Sequence, residues 1–567
     1  MKNLKYILIL LVLCNILSCK KSFLQLNPQG ELVPEQLNTQ EGVEGLLIGA
    51  YGLLNGNQSG TWGNYGAAPS QWLFGEVASD NAHKGSTSND QPNMNAVEQH
   101  VPTSTNDNLS NIWDRCFEGI QRCNNTLRFL KTVQAGSEKF SDQRAAEIQG
   151  EARLLRAHYY FFLKRIFKDV PMITETTTEG AVANDKDIYP EITADLEYAV
   201  ANLSTTKYLG QAGRIDKYIA QAYLGKVLLY QKKYPEAYTQ LNAVITAKPD
   251  LAGLDFMDNF NIDRENQPEA LFSVQHAVGG DGTGGDNGNV GDMLNYPKPI
   301  ASCCGFFQPS IDLANAYKVD ANGLPFLDGS YRTNPYLSDF DVANKDSYVL
   351  DKTINFDPRI DYTMGRRGVN YRTGYGPMPG NAWINDAGYA GPFTTLKNVL
   401  DQSQVASGTA PGVLNVNGLN VNLIRLADVY LMAAECAIET GDLSRALVLV
   451  NKVRERAAKL PAKTAGNGGP VAAVYRVSQY TTFPSTDYAR NAVRMERRLE
   501  LAMEGHRFYD LVRWGIAKQT LESYFGFEGQ YIIYLKGLTI ETRDDHFPLP
   551  QDQIDRSQGI LKQSTGY

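Results

Sequence analysis

Three observations predict a mainly α-helical body, a helical-repeat scaffold with a loop-rich second layer containing short strands. Several segments carry apolar residues at the three-to-four spacing of a helix face, and two of them form helix pairs of matching pattern. Residues 250–420 lack that spacing and are dominated by Gly, Asn, Asp, Pro and Tyr. With 567 residues, 43% hydrophobic and 20% charged, the chain has material for several cores and is too apolar for a disordered tail. Lys plus Arg total 54 against 62 Asp plus Glu, and a formal net charge of -8 argues against a nucleic acid partner.

The chain opens with Lys2 and Lys5, an apolar run from Tyr6 to Leu13, and Ser18 just before Cys19. This predicts an export signal over residues 1–18. The run falls short of the roughly 20 residues that span a bilayer, and no later stretch of that length is free of charge. Ile16-Leu17-Ser18-Cys19 resembles a bacterial lipobox, in which the cysteine is acylated and becomes the mature N-terminus. Lipid chains on Cys19 would tether the body without embedding it.

After the leader, residues 36–56 and 109–131 have helical spacing, with Trp113, Phe117, Ile120, Asn124 and Leu127 on one stripe. A third helix runs from Gly150 to Phe167 and is ended by Asp169-Val170-Pro171. A helix pair follows, AQAYLGKVLLYQ then PEAYTQLNAVITAKP, with Pro235 suited to the first turn of the second member. Leu224, Gly225, Ala237, Leu241 and Pro249 have the spacing of the 34-residue tetratricopeptide pattern, in which small residues let two helices approach closely. A second copy places Tyr430, Ala434 and Ala446 in matching register, with Gly441 at the turn. Two separated copies predict a discontinuous scaffold: within one body over 19–567, a helical part at about 36–250, a loop-rich insert at about 250–420 and a helical part at about 421–567.

Of the seven cysteines, Cys116 and Cys123 lie seven apart on one predicted helix, about 10 Å, too far for a bond. Buried free thiols are expected there, and a plain loop pair at Cys303-Cys304. With no CxxC pair and six His, no metal site is expected. The Gly/Asp run from Gly279 to Asp292 lacks the regular spacing of calcium loops and reads as a flexible loop.

The block RMERRLELAMEGHRFYDLVRWG, Arg494 to Gly515, offers Glu500, Glu504, His506 and Asp510 as an acid/base cluster. No HExxH pair, nucleophile elbow or second carboxylate pair accompanies it. Ion pairs that fix helix packing are the favoured reading. On a continuous helix Glu496, Glu500 and Arg507 would share one side, with Gly505 a point of break or close contact.

The string ERRLELAMEGHRFYDLVRWG closely resembles the signature of the SusD/RagB family of outer-membrane nutrient-binding lipoproteins. FLQLNP after the lipobox, GEARLLRAHYYFFLKRIFKDVPMIT, GRIDKYIAQAYLGKVLLYQKKYPEA, LIRLADVYLMAAECAIETGD and HFPLPQDQIDRSQGILKQSTGY resemble family blocks in family order, so the likeness covers essentially the whole chain. Two features depart from it: Arg556-Ser557-Gln558 where the family often has Asn-Pro, and basic Lys20 and Lys21 after Cys19 where surface-exported relatives often carry acids. The resemblance implies a tetratricopeptide-like scaffold packed on a TonB-dependent transporter of the SusC type. It also implies capture of a glycan or other small nutrient without bond cleavage, no cofactor, and outer-membrane attachment through the N-terminal lipid.

Sugars present CH-rich faces ringed by hydroxyls, so such a site needs exposed aromatic rings with amide or carboxylate groups at the rim. Two loop regions supply candidates: Trp62, Tyr65, Asp80 and Asn81 in the first, and Tyr371, Tyr375, Trp383 and Tyr389 in the second, with Arg372 and Asn385 beside them. Trp72 is expected in the core, and an Arg366-Arg367 patch is the one hint of affinity for acidic sugars. A tetratricopeptide protein adaptor and an exported glycoside hydrolase are the alternative functions.

Overall fold

The computed structural model describes residues 34–56, 64–279, 287–301, 303–410 and 413–567. The leader with Cys19, Trp62 and most of the run after Gly279 lie outside them. The fold is mainly α-helical, with short two-stranded sheets whose strands lie mostly between Ala270 and Arg425. Eleven principal helices carry it: α1 (Gln40–Gly52), α2 (Asp107–Gln134), α3 (Asp142–Phe167), α4 (Tyr189–Asn202), α5 (Lys217–Tyr230), α6 (Tyr234–Ala247), α7 (Leu426–Glu439), α8 (Leu443–Ala457), α9 (Thr486–Leu501), α10 (Arg507–Arg513) and α11 (Ala517–Glu528).

Local chemistry sets the helix ends. Asn106, Ser141 and Asp216 accept a backbone N–H from the first turns of α2, α3 and α5, replacing partners that a helix start lacks. Pro235 stands in the first turn of α6, and Asp442 caps α8 just after Gly441 turns the chain at φ 88°. Buried side chains on α3 run almost without interruption from Gly150 to Phe167, because α2 and α4 cover it on two sides.

Each helix from α1 to α6 packs on the next, and α6 packs on α7 although the whole insert separates them in sequence. Strand β2 (Ala270–Val274) near the start of the insert pairs antiparallel with β4 (Val421–Arg425) at its end, so the insert leaves and returns at one place. A second pair joins β1 (Ala82–Gly85) to β3 (Phe306–Pro309), tying the insert to the N-terminal part. The close approach expected at the first helix pair is present: a Cβ on Gly225 would lie 2.6 Å from Leu241 Cγ.

The C-terminal block is not one helix. It breaks between α9 and α10 at Gly505, which has φ 79° and leaves space for Ser70, whose carbonyl oxygen would meet a Cβ at 2.0 Å. Arg507 is therefore not on the Glu496–Glu500 face, and it turns to Asp80 instead. Cys116, Cys123 and Cys436 are buried free thiols. Cys303 and Cys304, expected as a plain loop pair, are joined in a vicinal disulfide. Among the described residues, no helix is long and apolar enough to cross a membrane.

Candidate functional site

Three rings of the second loop region meet. Tyr371, Tyr375 and Trp383 contact one another edge-to-face, with centroids 5.1 Å apart for Tyr371–Trp383, 6.1 Å for Tyr371–Tyr375 and 6.2 Å for Tyr375–Trp383. Turns rich in Gly and Pro allow this: Gly374, Gly376 and Gly380 all have positive φ, folding the chain back between the rings. Tyr371 is 1% exposed and its hydroxyl donates to the Thr395 carbonyl, which corrects its assignment as a ligand platform; it is the backing of the cluster. Tyr375 and Trp383 are half-buried and retain accessible ring surface. Behind them lie Tyr296, Leu396 and Val399, with Met257 and Ile300 packed at the edge.

Polar groups surround the rings. Asn381 shares the turn Gly380–Trp383 with the tryptophan, and its Oδ1 is buried without a protein partner. Asn385 donates to the Cys304 carbonyl at 2.7 Å, so the disulfide turn is fixed two residues beyond Trp383. Arg372 is buried, pairs with Asp401 at 3.0 Å and is closed to ligand. The short helix Lys298–Ala301 packs against the Trp383 turn. Asn381 and the disulfide turn have no distinguishing sequence pattern; only the fold brings them to the rings.

Tyr389 belongs to a second group. Its ring stacks on Tyr534 at 4.7 Å, and its hydroxyl donates to Asn95 Oδ1 at 2.7 Å. Next to it, His83 is enclosed by Glu98 and Glu528, each 3.0 Å from one ring nitrogen. Burial disfavours its charged form, but bonds and charges of the two glutamates outweigh that and lift its pKa to about 9.

The first loop region is largely interior. Tyr65 is half-buried against the main core. Trp72 is wholly buried and donates to the Gly291 carbonyl, as expected of a core residue. Asp80 and Asn81, read from sequence as rim groups, are buried, and this corrects that reading. Asp80 takes two bonds from Arg507, at 2.8 and 2.9 Å, and an ion pair from Arg498 at 3.1 Å. Burial would raise its pKa; the two guanidinium groups overcome this and hold it well below the usual carboxylate range. Asn81 donates to Glu76 at 2.9 Å and accepts from Arg498 at 2.8 Å. Glu76 Oε1 in turn accepts the backbone N–H groups of Glu504, Gly505 and His506 at the break between α9 and α10.

The acidic residues of the C-terminal block are equally saturated. Glu500 accepts from Arg425 at 2.7 Å, Arg359 at 3.0 Å and Arg456, and all four side chains are buried. Glu504 is held by Arg425 and Lys397, and Asp510 by Arg497 and Arg513. A general acid or base needs a proton to exchange with substrate, and these carboxylates face arginines inside the protein. The Arg366-Arg367 patch is also neutralised, by Asp361 and Asp339. Among the described residues, no group of three or more His, Cys, Asp or Glu side chains is arranged to hold a metal ion.

A discontinuous helical-repeat scaffold, clasped around an insert that displays a half-buried ring cluster, defines a class of binding architecture. The chain belongs to the SusD family, whose model matches residues 268–567. A second model, described as starch-binding associating with outer membrane, matches residues 22–229. The SusD-like protein P25 of Formosa agariphila is 23% identical, covering 99% of this chain and 98% of its own. A solved laminarin binding SusD-like protein superposes with TM-score 0.63 at 24% identity, covering 93% of this chain and 100% of its own. Surface glycan-binding protein A from Bacteroides thetaiotaomicron, in complex with laminarihexaose, superposes with TM-score 0.62 at 18% identity, covering 93% of this chain and 99% of its own.

Proposed function

We propose that this protein is a non-catalytic, surface-displayed glycan receptor, held at the outer membrane by lipid on Cys19, that passes its ligand to a SusC-like TonB-dependent transporter. The observation that carries the reading is the Tyr375–Trp383 pair: two half-buried rings at right angles, stiffened from behind by Tyr371. A ring held by packing keeps its face available without the entropy cost of ordering it on binding, which suits the CH faces of a neutral sugar. Asn381, half-buried in the turn that carries Trp383, supplies an amide that matches sugar hydroxyls. Support for the ligand class comes from relatives that bind laminarin and laminarihexaose. Support for the membrane comes from the starch-binding, outer-membrane-associating model and from the lipobox at Cys19.

The test is titration of the protein against a panel of neutral oligosaccharides that includes laminari-oligosaccharides. Trp383→Ala is expected to weaken the best ligand about tenfold or more, the scale of a buried aromatic contact, in a protein that still unfolds cooperatively. Equal affinity in a folded variant would reject the ring pair as the platform. In cells, Cys19→Ala should release the protein from the outer-membrane fraction.

A further inference from the structure

The helical scaffold contains a cleft that shares no lining residue with the ring cluster. It has a volume of about 370 Å³ and lies between the C-terminal end of α3, the start of α4 and α10. Lys164, Arg165, Lys168, Tyr189, Tyr230 and Tyr509 line it. That volume lies within the roughly 300–1,000 Å³ typical of small-molecule sites.

Most charge in the cleft is matched. Lys164 pairs with Asp187 at 3.0 Å, Arg513 with Glu435 and Asp510, and His546 Nδ1 with Asp545. Arg165 differs. Among the described residues no carboxylate lies within ion-pair distance of it; its Nε donates to the Phe161 carbonyl at 3.4 Å, and its guanidinium stands 4.1 Å from the Tyr509 ring centre. Lys168, exposed at the mouth, also has no carboxylate partner among the described residues. Two unmatched cations thus converge on one tyrosine-lined cleft, in a chain whose net charge is -8. Arg165 is held by a backbone carbonyl and by ring faces, with no carboxylate, so an anion entering the cleft would meet its charge without breaking an ion pair.

We propose that this cleft binds an acidic sugar unit, a pyranose bearing a carboxylate or a sulfate. The planar guanidinium of Arg165 presents paired N–H donors that match either anion in a fork, Lys168 adds a mobile charge, and Tyr189, Tyr230 and Tyr509 offer ring faces and hydroxyls to the sugar body. A neutral sugar would leave Arg165 unmatched, and a bare anion would leave the rings uncovered. The inference rests on the glycan-receptor reading for its ligand class, but not on Trp383.

The experiment titrates the mature chain with glucuronic acid, glucose 6-sulfate, glucose and acetate. At least one acidic sugar should bind about tenfold more tightly than glucose and acetate, and the tighter of the two identifies the anion. Arg165→Met, which keeps the stem packed on the rings, and the surface change Lys168→Gln should each weaken that ligand severalfold. Trp383→Ala should leave it unchanged, so a failed ring platform and a failed cleft are separately visible. Glucose or acetate binding as tightly as the acidic sugars, no binding of either acidic sugar, or no effect of either cation change in folded protein would overturn the proposal.

Discussion

Trp72, Tyr371 and Trp383 look alike in sequence, each an aromatic residue in a turn-rich stretch, and their fates differ through what surrounds them. Trp72 finds a carbonyl and a closed core, Tyr371 finds the Thr395 carbonyl, and Trp383 keeps part of its ring at the surface. The charged residues follow the same logic. Glu500 faces three buried arginines, so Glu500→Gln should destabilise the fold by about 3–5 kcal/mol, the usual cost of leaving buried charge unpaired. In the fraction that folds, glycan affinity should be unchanged; a selective loss of ligand affinity with full stability would give Glu500 a functional role. His83 gives a pH signature. Its folded pKa of about 9 exceeds the ordinary 6.5, so its stabilising contribution is complete below pH 6.5 and is lost as pH rises through 9. Urea unfolding of the wild type should show that contribution, on the order of 3 kcal/mol, disappearing between pH 6.5 and 9. His83→Gln should flatten the profile; an equal slope in the variant would assign the effect elsewhere.

Among the elements, the helices were the most legible part of the sequence. Their apolar spacing marks α2, α5 and α6 directly, and Leu224, Gly225, Ala237 and Leu241 predict the contact in which Gly225 faces Leu241 without room for a Cβ. Gly225→Val should therefore overpack α5 against α6 and cost roughly 1–3 kcal/mol in chemical unfolding; a neutral effect would mean the pair can separate freely. Gly505 was legible as a point of break or close contact, and it is both, but its partner Ser70, more than 400 residues earlier, was not. Asp80 and Asn81 were misread for a related reason. A polar turn sequence looks solvent-facing until Arg498 and Arg507, more than 400 residues later, are known to enclose it. Candidate ring residues were legible by composition. Which of them meet was not, since Tyr371, Tyr375 and Trp383 are brought together by positive-φ glycines whose turns the sequence leaves undetermined.

In the whole molecule, the pairing of β2 with β4 brings the two ends of the insert together, and α6 meets α7 as the next layer of the scaffold. A long excursion closed at its base adds little loop-closure cost and leaves the repeat packing continuous. The arrangement separates tasks: the helices pack layer on layer, and the insert supplies turns that hold the Tyr375 and Trp383 rings half-buried. The buried arginine–carboxylate networks link the two, with Arg359, Lys397 and Arg425 reaching from the insert and its closing strand to Glu500 and Glu504. The most direct measurement of non-catalytic capture is calorimetric titration with the best-binding neutral oligosaccharide, followed by chromatographic analysis of the recovered sugar. Binding should be saturable and drop about tenfold or more in Trp383→Ala, with the oligosaccharide recovered at full length. Shortened products, or binding indifferent to Trp383 in a folded variant, would rule out non-catalytic capture on the ring pair.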